Sequence, residues 1–231
     1  GDMRMPWAWD AHSAELCVVE PAVGEPLVAS YDQTPQCLLM FSDPTPPAGV
    51  VAEVVDLPDA ADPAAYDRQP VRGKIVITST APRRAVPLAV EHGCLGVLSD
   101  YMIVCPGVSD RELQQDAVAW VNDGFDTVGA RYRDNWNVFG FMLSPRQADR
   151  LRWLLREHGR LRVRARVDSR FYSGALGVAT AVLPGTDLKH EELLLTAHLY
   201  EPGASDNASG AAAVIEAGRA PETPAAVVCN A

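Results

Sequence analysis

His198 and Asp206 stand with seven residues between them in the stretch LLLTAHLYEPGASDNASG, Leu193 to Gly210. An imidazole nitrogen and a carboxylate oxygen are donors that zinc favours, and a hydrolytic site leaves one position open for water. A pair of zinc ions about 3.5–4 Å apart also needs a carboxylate able to bridge them. To serve in this way, the two side chains must be delivered to one place. The apolar run before Ala197 reads as a strand whose tip presents His198. A loop containing Pro202 and Gly203 then brings Asp206 back, and Asn207, Ser209 and Gly210 suit a tight turn into a helix N-terminus. The spacing H-x7-D also fits a plain surface turn in which Asp206 or Asn207 caps the helix. On spacing alone, the capped turn is the stronger of the two readings.

The elements around this stretch follow from periodicity. Residues 1–35 read as irregular apart from a short alternating segment at AELCVVEP. QCLLMFS (Gln36–Ser42) and the β-branched VVAEVVDL (Val50–Leu57) read as strands. PDAADPAAYDRQPV reads as a loop with a helical turn. RGKIVITST (Arg72–Thr80) is a continuous apolar run of the kind buried on both faces. APRRAVPLAVEHGC reads as a helix closed by Gly93, and LGVLSD as the next strand, which together predict a parallel βαβ unit. DRELQQDAVAWVND carries a helical pattern. VFGFMLS reads as a strand, PRQADRLRWLLREHG as an amphipathic helix capped by Ser144 and stopped by Gly159, and RLRVRARVD as a strand with one wet face. VATAVLPGTDLKHEELLLTAHL reads as strand, turn, strand, and ASGAAAVIEAGRA as a helix. PETPAAVVCNA shows no clear element.

Composition narrows the function classes. Hydrophobic residues make up 48% and charged residues 22%, which predicts a packed core. A net charge of -10 argues against a nucleic-acid partner and against a polybasic membrane-surface protein. No apolar run reaches the roughly 20 residues that span a bilayer, and GDMRMPWAWD has no signal-peptide pattern. Five scattered cysteines, Cys17, Cys37, Cys94, Cys105 and Cys229, fit reduced thiols of a cytoplasmic protein better than a disulfide framework. His92 and Cys94 with Cys105 downstream lack the second close pair that a zinc site would need. Arginine greatly outnumbers lysine, and alanine, proline and valine are abundant, as in proteins of GC-rich bacteria. Nine arginines lie between Arg146 and Arg170. A carbohydrate or phosphate site on that strand is one reading, and a solvated strand face is the stronger one.

The literal string adds what spacing cannot. EELLLTAHLYEPGASDNASGAAAVIEAGRA resembles the two-zinc aminopeptidase family, metallopeptidase family 28, which includes bacterial leucyl aminopeptidases and glutamate carboxypeptidase. Its members show a strand ending in Ala-His, a Pro-Gly-Ala loop, and Asp-Asn-Ala-Ser-Gly opening a helix. ATAVLPGTD resembles the strand and Pro-Gly turn that come before. VVDLPDAADPAAYDRQPVRGKIVITSTAPRRAVPLAVEHGCLGVLSD resembles a protease-associated domain, with Gly73–Val76 and Gly93–Val97 as its characteristic strands. FGFMLSPRQADRLRWLLREHGRLRVRARVD matches that domain's closing strand, helix and strand.

The resemblance implies a mixed α/β fold. A protease-associated domain of strands with flanking helices would be followed by the first strands and helix of an αβα zinc-exopeptidase domain. The implied divisions are an N-terminal segment 1–35, a protease-associated-like domain 36–172, and the start of the peptidase domain 173–231. It implies two zinc ions, with His198 a ligand of one and Asp206 bridging both. Activated water would cleave a peptide bond next to a free amino terminus, so the implied partner is a peptide. Two departures stand out. Many members carry an orienting aspartate two residues after the histidine, where this chain has Tyr200. The family's Glu-Glu pair, further acid and late histidine lie downstream, whereas after Asp206 this chain has only Glu216 and Glu222 as acids and no histidine. Glu216 falls where the family has a structural glutamate. The expectation is a chain that stops short of the full site and is inactive alone. The alternative is a non-catalytic protease-associated module that binds protein or peptide. The strand before His198 is expected to leave an edge that a second copy could pair with.

Overall fold

The computed structural model describes residues 8–104, 110–121, 138–172, 177–184, 190–199, 201, 203–219 and the backbone of 226–230. The chain is mixed α/β and divides into two compact units, 1–173 and 174–231.

In the first unit the elements are β1 (Ala8–Glu20), β2 (Leu27–Ser30), β3 (Val50–Asp56), α1 (Pro63–Asp67), β4 (Ile75–Thr78), α2 (Pro82–Glu91), β5 (Gly96–Ser99), β6 (Phe139–Met142), α3 (Pro145–His158) and β7 (Arg162–Tyr172). They form one seven-stranded sheet in the order β2-β1-β7-β3-β4-β5-β6. Strands β3, β4, β5 and β6 pair in parallel, and β2, β1, β7 and β3 pair antiparallel.

The two halves of the sheet bury different faces. In the parallel half, alternate side chains go to opposite cores. Ile75, Ile77 and Leu98 join the core under α3, which contributes Ala148, Leu151 and Leu154. Val76 and Val97 join the core under α1 and α2, with Tyr66, Ala85, Val86 and Ala89. A strand covered on both sides has no polar face, which is why RGKIVITST reads as an unbroken apolar run. In the antiparallel half, Val163, Ala165 and Val167 of β7 face the α3 core, while Arg164, Arg166 and Arg170 are exposed. Arg166 lies 3.8 Å from Glu15, Arg160 2.7 Å from Glu53 and Arg170 2.9 Å from Asp10. These arginines therefore face carboxylates on a wet surface.

Several expectations change. The stretch before residue 36 is not irregular, because β1 is a 13-residue strand paired along its length with β7. Its inward side chains Ala14, Leu16 and Val18 gave the short alternation; the rest of the strand is held by backbone pairing, which leaves no sequence pattern. QCLLMFS is not a strand. A 3-10 turn spans Pro35–Cys37, and Leu38 makes only an isolated bridge to Phe141. Leu38 and Leu39 enter the two different cores, so the run is apolar because it closes the β6 edge from both faces. DRELQQDAVAWVND is not helical over its described residues 110–121, which form turns. Leu113 is 77% exposed, and ion pairs hold the segment: Arg111 to Asp100 and Asp149, and Arg146 to Asp116.

Asp100 ends β5 with its side chain fully enclosed, and Arg152 of α3 reaches it at 2.9 Å. Ser79 also donates to it at 2.8 Å. Burial opposes ionisation of Asp100 most strongly, but Arg152, Ser79 and Arg111 together outweigh it and hold the carboxyl below its usual range. Cys17, Cys37 and Cys94 are free thiols, and burial pushes Cys37 up to about 12 and Cys94 up to about 11. His92 stacks on Tyr66 at 4.7 Å, and Cys105 lies outside the described residues.

The second unit contains β8 (Val178–Ala181), β9 (Leu194–Leu195), α4 (Ala208–Arg219) and β10 (Ala226–Asn230). Its sheet order is β8-β10-β9, with β10 antiparallel to β8 and parallel to β9. The terminal segment, read as featureless, supplies the central strand: AVVCN has a β-branched pair but is too short for a periodic signal. The Pro-Gly turn after β8 lies largely outside the described residues. Among the described residues, no helix is long and apolar enough to cross a membrane.

Candidate metal centre

The site is built on the connection from β9 to α4. Ala197, 7% exposed, packs with Val214 of α4 and anchors the segment that runs from β9, which ends at Leu195, to His198. The loop returns through a closed set of backbone bonds. Gly203 N–H donates to the Asp206 carbonyl at 3.0 Å, and Ala208 N–H donates to the Gly203 carbonyl at 3.1 Å. A Cβ on Gly203 would stand 2.5 Å from the Asp206 oxygen, so the turn closes only with glycine there. The Asn207 amide donates to the His198 carbonyl at 3.4 Å and ties the loop to that segment. Gly210 has no side chain where the Asn207 amide lies. The Asp206–Asn207 peptide is cis.

His198 and Asp206 meet, with Nε2 3.1 Å from Oδ1 of Asp206. A third donor, not singled out in the sequence, joins them: Glu201 Oε2 lies 3.4 Å from Nδ1 of the same imidazole. One donor atom from each of the three residues lies within 4.8 Å of the others. The side chains differ in exposure: 12% for Glu201, 35% for His198 and 73% for Asp206. Burial raises the Glu201 carboxyl above its ordinary value, and the neighbouring Asp206 carboxyl adds to the rise, while His198 opposes it. The signal for Glu201 was its position three residues after the histidine, which spacing rules for zinc do not weight.

The donor set fits a divalent cation. One imidazole and two carboxylates are zinc-type ligands, and donors about 2.1 Å from a tetrahedral ion stand about 3.4 Å from one another. The 3.1 Å between His198 Nε2 and Asp206 Oδ1 is near that value, whereas Glu201 lies 3.4 Å from Nδ1, and one ion can take only one nitrogen of the ring. Glu216 is not part of the group: it pairs with Arg219 at 2.9 Å on exposed α4 surface. Tyr200 and Glu222 lie outside the described residues.

No protein-family model and no curated protein matches the sequence. Solved structures match the fold. A peptidase M28 precursor from Shewanella amazonensis aligns with a TM-score of 0.56 and 16% identity, over 96% of this chain and 51% of its own. The zinc aminopeptidase BSAP from Bacillus subtilis aligns with a TM-score of 0.57 and 13% identity, over 98% of this chain and 48% of its own. An aminopeptidase from Aneurinibacillus sp. strain AM-1 aligns at 0.50 and 16%, over 96% and 50%. The chain thus spans about half the length of these structures. Its fold is the one that these peptidases carry over that half.

Proposed function

We propose that this chain is the metal-binding portion of a zinc-dependent aminopeptidase of the two-zinc type, acting on peptides with a free amino terminus. The observation that carries the reading is the meeting of His198 Nε2 and Asp206 Oδ1 at 3.1 Å. It occurs at a strand-to-helix connection, in a chain that shares its fold with zinc aminopeptidases. His198 would hold the ion through Nε2 and Asp206 through its exposed carboxylate, which could also serve a second ion. When bound, zinc supplies a Lewis acid and lowers the pKa of water to about 7. Asn207 and the Gly203 turn fix the separation of the two ligands.

Among the described residues, Glu216 is not placed with these ligands, and this reading assigns no general base. The expected outcome is zinc uptake without measurable hydrolysis of a leucyl anilide. Calorimetric titration with zinc tests the site: His198→Ala and Asp206→Asn each lower the affinity at least tenfold. Unchanged uptake in both variants would sink the metal reading.

A second reading concerns the first unit. It holds both large cores by itself, so a protein- or peptide-binding module without catalysis is also consistent with the fold. Peptide binding by a polypeptide of residues 1–173, unaffected by zinc, would favour it.

A further inference from the structure

We propose that Glu201 is the positioning residue of the metal centre, holding the His198 imidazole in the tautomer and orientation that present Nε2 to the ion. The inference rests on the zinc reading above. A ligating histidine uses the lone pair of one ring nitrogen, and the other nitrogen must then carry a proton. That N–H is normally given to a carboxylate, carbonyl or water, which fixes the ring and makes it a better donor.

The two nitrogens of His198 face two different acids. Nε2 is 3.1 Å from Asp206, the carboxylate with 73% exposure. Nδ1 is 3.4 Å from Glu201, whose side chain is only 12% exposed. The shielded carboxylate is therefore the one near the nitrogen that would carry the ring proton, at a distance that metal binding would have to tighten into a hydrogen bond, and the open one is near the nitrogen that would face the metal. Tyr200, at the position from which a carboxylate could do this two residues after the histidine, carries none. The loop supplies the replacement one residue later. Backbone bonds from Gly203 to Ala208 close the turn that carries Asp206.

Zinc titrations of the full chain test the assignment. They are run on the wild type, Glu201→Ala, Glu201→Gln and His198→Ala, with histidine-selective 15N spectra of the zinc-loaded forms. Glu201→Ala is expected to weaken zinc binding about 10- to 100-fold and to lose the protected Nδ1–H signal of His198. Glu201→Gln keeps an acceptor at that nitrogen and should recover most of the affinity and the signal. Wild-type affinity in Glu201→Ala, with binding lost in His198→Ala, would overturn the role of Glu201 and leave the zinc reading intact. Glu201→Gln binding as weakly as Glu201→Ala would make Glu201 a direct ligand and overturn the positioning role. A wild-type chain that takes up no zinc, or His198→Ala binding like the wild type, would overturn the zinc reading and this inference with it.

Discussion

Asn207 and Gly210 help bring His198 and Asp206 together. Gly210 leaves the space that the Asn207 amide occupies while it donates to the His198 carbonyl. Gly210→Ala must displace that amide. The expected cost is about 1–3 kcal/mol of local stability, read as faster amide hydrogen exchange around residues 203–211. In the first unit the decisive residue is Asp100, enclosed beside Arg152. Its carboxyl is held below the ordinary value of about 3.9. Its contribution is therefore complete above that value and lost as pH falls through the lower folded value. Urea midpoints that decline below about pH 4 in the wild type, and less steeply in Asp100→Asn, check this sign. At neutral pH, Asp100→Asn leaves Arg152 short of its main partner and should cost about 3 kcal/mol.

At the scale of elements, α3 was legible from end to end. Ser144 accepts from Gln147 N–H, Gln147 reaches back to the Ser144 N–H, and Gly159 closes the helix at φ 68. Ser144→Ala should cost about 1 kcal/mol in chemical denaturation, with no change in the denaturant slope. Helix signals of this kind are local, so sequence carries them. The short strands were legible where both faces are buried, as in β4 and β5. The missed strand β1 and the misread Gln36–Ser42 share a cause: both are shaped by partners more than 100 residues away, β7 and β6 respectively. The supposed helix at Asp110–Asp123 failed for a related reason. Its arginine and aspartate side chains are engaged by Asp100, Asp149 and Arg146, an arrangement set by the β5 end and α3.

For the molecule as a whole, the two units differ in how much core they own. Both large cores belong to the first unit, while the described core of the second is Ala197 and Val214 with a few partly buried neighbours. Leu193, Leu194 and Ile215 are more than half exposed. A polypeptide of residues 1–173 should therefore unfold in one cooperative transition by circular dichroism. In the full chain, amides of β9 and α4 should exchange far faster than those of β4 and β5. Light scattering checks the expectation that the β9 edge, paired with β10 on one side, recruits a second copy. A strictly monomeric chain would remove that expectation.

The sequence by itself determined the local structure that a few residues can enforce: α3 with its caps, the parallel βαβ run, and a strand, loop and helix carrying His198 and Asp206. It also carried the resemblance that named the chemistry. Tertiary structure alone decided which groups face one another. The separation of 3.1 Å between His198 and Asp206 depends on how the loop closes, and the presence of Glu201 at the other nitrogen depends on which way the ring turns. Neither is encoded in a spacing or a period, because both are distances through space between side chains whose rotamers are fixed only by the completed turn.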